Sequence, residues 1–279
     1  MTSVRPALPG AEPFFLPGPR GPLFALYHAP AGPCRQALLY VHPFAEEMNR
    51  SRRTAALAAR RLAASGVAVL QLDLYGCGDS AGEFADARWE GWLDDLAAGQ
   101  AWLYARTGQA PGLWGLRLGA LLALAHASRS PEPVARLLLW QPVTSGATFL
   151  AQFLRLRSAG DMLRGGETRG TQALRTVLAQ GATLEIAGYA LAPQLAAAIE
   201  SADAAMLIPK VRVDWFDLGA PGRAPAPPRE RIAAAWRATG ASATLHMVEG
   251  PEFWASQEIT LAPALIDATA VLLEEAIDG

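Results

Sequence analysis

The chain has 279 residues, 51% of them hydrophobic, and a formal net charge of −2. That length suits one domain with an insertion, and so weak a charge balance excludes intrinsic disorder and a generic nucleic-acid surface. Two cysteines, Cys34 and Cys77, are too few for a disulfide framework and lack metal-ligand spacing, so both are expected to be reduced. The opening MTSVRPALPGAEPFF has no charged leader followed by an apolar stretch, and no run of about 18 apolar residues occurs anywhere. A soluble, cytoplasmic protein with no stable membrane insertion is the expectation.

In chain order, two short strands flank the Pro/Gly turn of FFLPGPRGPLFALYHAP and predict a β-hairpin. A continuous apolar strand, Ala37 to Val41, then runs into a polar loop and a helix in QALLYVHPFAEEMNRSRR; unbroken apolarity suits a strand buried on both faces of a parallel sheet. GVAVLQLDLYGCGDSAGE is a further buried strand closed by a glycine-rich loop, followed by the helical pattern of WEGWLDDLAAGQAWLYAR. LWGLRLGALLALAHA is a strand and helix, and VARLLLWQPV another strand. Such alternation implies parallel pairing with right-handed crossovers.

From about Thr144 to Ala205 the pattern changes to helices without strands, read here as an inserted helical lid. The sheet resumes with KVRVDWFDLG and SATLHMVEG around a proline-rich loop and helix, and APALIDATAVLLEEAI closes the chain as an amphipathic helix. The domain expectation is a core of residues 1–143 and 206–279, with 144–205 as the lid.

Gly115-Leu116-Arg117-Leu118-Gly119 sits between a strand and a helix. In the α/β-hydrolase pattern this turn reads G-x-S-x-G, and its glycines let a nucleophile be thrust over the sheet. Here both glycines are kept and arginine stands at the nucleophile position. The loop HPFAEEMN follows the third strand, where an oxyanion-hole amide belongs; DLYGCGDS resembles the turn after the next strand; VEGPEFW falls where the histidine loop belongs. Together these landmarks predict an α/β-hydrolase fold, a mainly parallel sheet flanked by helices.

The motifs PFAEEMNRSRR, DLYGCGDSAGEF, WGLRLGALLA, AQFLRLRSAGD, AGYALAPQL and GPEFW resemble the exosortase A system-associated hydrolases of the second type. The resemblance implies an α/β-hydrolase fold and a bacterial setting of exosortase-linked protein sorting and exopolysaccharide production, without a known substrate.

The triad is degenerate. Arginine stays protonated at any ordinary pH and is no nucleophile, and loss of an essential serine costs on the order of 10⁶-fold in turnover. Where a G-x-G-H ending would supply the base stand Gly250-Pro251-Glu252-Phe253. His246 belongs to the preceding strand rather than a loop. Asp217 is the better placed of two acid candidates, Asp214 being the other.

An arginine projected over the sheet must keep water or meet an anion. Glu252, Asp217 and Glu46 are expected to converge on Arg117, either as a salt bridge closing an abandoned site or around a ligand carboxylate or phosphate held by its planar fork. Pro43 has no amide hydrogen, so an oxyanion hole would need the amide of Phe44 or Ala45 together with that of Leu118.

His42 is read as structural rather than as a base, Cys77 as packing, and Trp89, Trp92 and Trp102 as helix packing; Glu46 and Glu47 suit the first turn of a helix. Phe253 and Trp254, and Tyr189 from the insertion, are expected to line the pocket, with Gln141 on the ligand side. Candidate catalytic residues are Arg117, Glu252 and Asp217; candidate ligand-binding residues are His42, Phe44, Glu46, Leu118, Gln141, Phe253 and Trp254.

No metal, nucleotide or flavin signature occurs, and no cofactor is expected. Two functions follow: a pseudo-hydrolase that binds an anionic or acylated metabolite or a pathway protein, and an unconventional enzyme acting on an ester, thioester or acylated saccharide. A fully paired Arg117 in a closed pocket favours the former; open space around it leaves room for the latter.

Overall fold

The computed structural model describes residues 10–163, 170–220, 222 and 224–278; most of the opening segment read above for a leader lies outside these. The strands are β1 (Glu12–Gly18), β2 (Gly21–His28), β3 (Gln36–Val41), β4 (Val67–Leu72), β5 (Gly112–Leu116), β6 (Leu137–Trp140), β9 (Val213–Gly219) and β10 (Ala243–Glu249). They form one sheet in the order β1-β2-β4-β3-β5-β6-β9-β10. The β1–β2 and β2–β4 pairings are antiparallel and every other is parallel. This is the α/β-hydrolase fold.

Alternation along each central strand supplies two cores. Leu39, Val41, Leu113, Leu139 and Trp215 face one side, under α2 (Trp89–Thr107), α3 (Leu118–Arg129) and α7 (Pro227–Ala238). Leu38, Tyr40, Trp114, Trp140 and Phe216 face the other, under α1 (Glu46–Ala64) and α8 (Pro263–Asp278). Both faces are covered, which is why these strands carry no polar alternation.

Chain order reverses between β3 and β5, where Val41 pairs with Gly115, and Leu116 pairs with Trp140 on β6. The loops after β3 and β5 therefore leave adjacent carboxyl ends, the position at which open α/β sheets bind ligands.

Between β6 and β9 stand α4 (Gly146–Leu163), α5 (Thr171–Ala179) and α6 (Pro193–Ser201), and between α5 and α6 a hairpin of β7 (Leu184–Ile186) and β8 (Tyr189–Leu191). The all-helical expectation for this segment is corrected by that hairpin. Its turn, Ala187-Gly188, has φ of 49° and 85°, the paired positive φ of a tight hairpin turn, and alanine there hides the Asn-Gly signal that would reveal it. The stems of the segment meet through a bridge between Ser145 and Asp203 and a Gly146 N–H bond of 2.8 Å to the Ala202 carbonyl.

Candidate functional site

The turn carrying Arg117 keeps the steric logic of the hydrolase elbow. Arg117 has φ 57° and ψ −120°, a region that costs a non-glycine residue about 1–3 kcal/mol and survives only where the surroundings enforce it. They do so here: the Arg117 N–H donates to the Trp140 carbonyl at 3.0 Å, and its own carbonyl accepts from Ala120 and Val143, each at 3.1 Å. A Cβ on Gly115 would lie 2.4 Å from the Ala120 Cα, and one on Gly119 2.3 Å from the His42 carbonyl oxygen. Ala45, at the start of α1, has nearly the same backbone, φ 52° and ψ −128°. Two strained turns thus face one another across the ends of β3 and β5.

Arg117 meets Glu47. Its Nε donates to Oε1 at 3.3 Å, and the guanidinium lies 5.3 Å from the centre of the Trp254 ring, a cation–π contact. The two side chains are 16% and 23% exposed. Among the described residues neither terminal nitrogen of Arg117 has a protein acceptor, and Glu47 Oε2 is buried with no hydrogen-bond donor. Burial pushes the Glu47 carboxyl up, against the pull of Arg117 and Arg50, with Glu252 adding to the rise.

The pair opens into a pocket of about 350 Å³. Phe44 and Trp254 form part of its wall, and the inserted segment supplies Phe149, Phe153 and Leu156 from α4 and Ala187 from the hairpin turn. The charged groups of the lining are on α1 and the elbow, and the rest of the wall is aromatic and aliphatic apart from Gln152 of α4. A small-molecule site in proteins has about 300–1,000 Å³, so this one is at the small end.

The expected convergence on Arg117 is corrected. Asp217 is buried on β9, accepts the Trp215 Nε1–H at 2.8 Å and pairs with Arg229 of α7 at 2.7 Å. Its side chain points to the face away from Phe216, because alternate residues of a strand face opposite sides. Glu46 lies at the pocket mouth, accepting the Tyr189 hydroxyl at 3.2 Å, with Arg50 at 3.6 Å. Glu252 is exposed and acts on Glu47 only through space.

Gln141 turns its side chain to the backbone, its Oε1 accepting the Leu218 N–H at 2.7 Å. Phe253 is fully buried against Trp140 and is not in the lining of this pocket; Trp254, beside it, is. Tyr189, which was expected in the pocket wall, instead ties the hairpin to α1 beside it.

His42 donates from Nδ1 to the Pro43 carbonyl at 2.8 Å, while Nε2 accepts the Leu74 N–H at 3.3 Å. Both nitrogens are engaged, and burial lowers the imidazole pKa and keeps it neutral. Leu118 and Ala45, with Phe44, border a separate space of about 10 Å³, room for about one water. His246 stacks on Phe216 and points to Asp214 at 3.3 Å, on the sheet itself. Burial raises the pKa of the Cys77 thiol steeply and keeps it protonated.

Glu47 is the residue missed from sequence. Its signal was helical phase: Glu47, Ser51, Thr54 and Ala58 follow at i, i+4, i+7 and i+11, and the last three are buried. Extended back one turn, that stripe selects Glu47 over Glu46.

The serine aminopeptidase S33 family model matches residues 32–168. Among solved structures, the chain is similar to Est1E of Butyrivibrio proteoclasticus with ferulic acid bound, at TM-score 0.69 and 16% identity over 95% of this chain and 100% of that one. It is similar also to a putative hydrolase of Agrobacterium vitis S4, at TM-score 0.62 and 18% identity over 96% and 98%. A thioesterase domain from the curacin biosynthetic pathway superposes with TM-score 0.56 and 16% identity over 97% and 100%. No curated protein matches by sequence. Strand order, the sterically obligatory glycines of the elbow and the likeness to these solved structures give this chain the α/β-hydrolase fold, with the serine aminopeptidase S33 match confined to residues 32–168.

Proposed function

We propose that this protein has exchanged serine hydrolysis for recognition: a pseudo-hydrolase whose pocket binds an anionic metabolite on Arg117, in the exosortase and exopolysaccharide setting that its sequence motifs resemble. The fully paired Arg117 in a closed pocket expected of a pseudo-hydrolase is not what the site contains; what supports recognition instead is an Arg117 left half-satisfied at an open pocket. A permanent cation stands at the nucleophile position with, among the described residues, one side-chain hydrogen bond and two unbonded terminal nitrogens at a pocket, the geometry by which a guanidinium grips a carboxylate. The engagement of the triad-type groups supports the same reading: among the described residues His42 is spent on backbone groups and Asp217 on Arg229. Contact with a pathway protein in the cytoplasm is compatible with this reading.

The open pocket also favours a second reading, an unconventional hydrolase or acyltransferase for an ester, thioester or acylated saccharide, with the buried Glu47 as its proton-transfer group. Turnover of an ester and acyl-thioester panel by the native protein, Arg117→Ala and Arg117→Ser decides between them. The expected outcome is no turnover by any of the three, Arg117→Ser included, because no histidine stands ready to activate a restored hydroxyl. Turnover by the native protein that Arg117→Ala abolishes overturns the pseudo-hydrolase reading.

A further inference from the structure

The Arg117–Glu47 pair poses a charge problem for any anion that enters. Two guanidinium groups line the pocket: Arg50, held by the Ala255 carbonyl and Glu46, and Arg117, already shared with a carboxylate whose Oε2 is buried without a donor. The charged groups around Glu47 are few. Arg117 approaches from the elbow; Arg50 stands one turn along α1, committed to the Ala255 carbonyl at 3.0 Å and to Glu46 at 3.6 Å; Glu252 comes from the loop after β10. Glu46 lies at the mouth. An arriving carboxylate on the terminal nitrogens of Arg117 therefore puts a second negative charge beside Glu47 with no additional free cation among the groups just named.

Two carboxylates that share one site do not both stay ionised: one takes a proton. Glu47 is already poised for this, since burial has raised it in the free protein. Protonation turns a repelling pair into an acid and a carboxylate that can share a hydrogen bond, and leaves the Arg117 charge to the ligand. The wall of Phe44, Phe149, Phe153, Leu156 and Trp254, with Gln152 among them, offers no charge to a second anionic group and instead fits an acyl or aryl body. Resting on the anion-binding function proposed above, we infer that the pocket takes an apolar monocarboxylate and that Glu47 gains a proton from solvent as the ligand binds.

The sign follows from linkage. A complex that holds a proton the free protein lacks is favoured at low pH, and its affinity falls by up to about tenfold per pH unit across the interval between the free and bound Glu47 pKa values. Titration calorimetry with octanoate, octyl phosphate and octanol, from about pH 6 to about pH 8 and in two buffers of different ionisation enthalpy, reads both affinity and proton uptake; octanoate stays ionised throughout, well above the ordinary carboxylate range.

Octanoate is expected to bind in preference to the other two, more weakly as pH rises and with uptake of about one proton. Glu47→Gln is expected to abolish the uptake and flatten the pH profile, and Arg117→Gln to lose the preference for octanoate over octanol. Octanoate binding that is insensitive to pH and takes up no proton overturns this inference while leaving anion binding intact. Tighter binding of octyl phosphate overturns the monocarboxylate class, and failure of both anions overturns the inference and the proposed function together.

Discussion

At Arg117 the backbone and the side chain tell different histories. The backbone is still that of a nucleophile elbow, strained and pinned by three hydrogen bonds, whereas the side chain lies down on Trp254 and Glu47. The elbow depends on Gly119 in particular, whose missing Cβ makes room for the carbonyl oxygens of Val41 and His42. Gly119→Ala is expected to destabilise the fold by about 1–3 kcal/mol, the range for overpacking against groups that yield poorly. Urea denaturation checks this, and an unchanged midpoint would mean that the β3 and β5 loops part more easily than their packing implies.

Among the elements of the inserted segment, α4 supplies most of the pocket wall and the hairpin adds its turn. Its turn residue Ala187 is in the pocket wall, and it is fastened at Tyr189, whose hydroxyl donates to Glu46 and accepts from Asn49 Nδ2 at 3.1 Å while its ring packs on Phe84. Burial and the neighbouring Glu46 push the Tyr189 hydroxyl up to about 12, so it remains a donor at neutral pH. Tyr189→Phe keeps the ring contact and removes the polar fastening. The expected cost in global stability is about 1 kcal/mol, the net worth of such bonds, but amide exchange over residues 184–191 is expected to quicken by more than in the rest of the sheet. Uniform quickening would show that the hairpin opens only with the whole domain.

At the scale of the whole molecule, a buried electrostatic cluster lies on β9, away from the pocket. Asp214, fully buried on β9, meets Arg136 at 2.6 Å, Arg212 at 3.0 Å and His246 at 3.3 Å. Burial pushes its carboxyl up, but bonds from His246, Arg212 and Arg136 outweigh that and hold it well below the ordinary carboxylate range. A carboxyl depressed in the folded state adds stability that is present above its unfolded pKa and lost as pH falls through the folded one. Asp214→Asn leaves the buried Arg136 charge without its counter-ion and is expected to cost about 3–5 kcal/mol at neutral pH. The loss is expected to shrink as pH falls below about 4, where the unfolded carboxyl takes up a proton, and to vanish only as the native carboxyl, held well below that range, is protonated in turn; denaturation at about pH 7 and about pH 3 checks it.

Sequence by itself determined the sheet, because strands buried on both faces must be apolar throughout and their helices must show one apolar stripe: the opening hairpin, the alternating strands and helices and the closing helix all follow from that. It determined the elbow as well, since Gly115 and Gly119, two residues to either side of Arg117, stand between strand and helix in order with HPFAEEMN, DLYGCGDS and VEGPEFW. Only the tertiary structure decided who meets Arg117. Asp217, Glu46 and Glu252 stand on the segments that reach the same end of the sheet, but side-chain direction is set by strand parity and helix phase: parity turns Asp217 to Arg229, phase turns Glu47 inward and Glu46 outward, and Glu252 remains in solvent. The hairpin in the insertion was equally hidden, because an Ala-Gly turn has positive φ without the residues that advertise it. Periodicity records how much of an element is buried; which neighbour it is buried against is a property of the assembled fold.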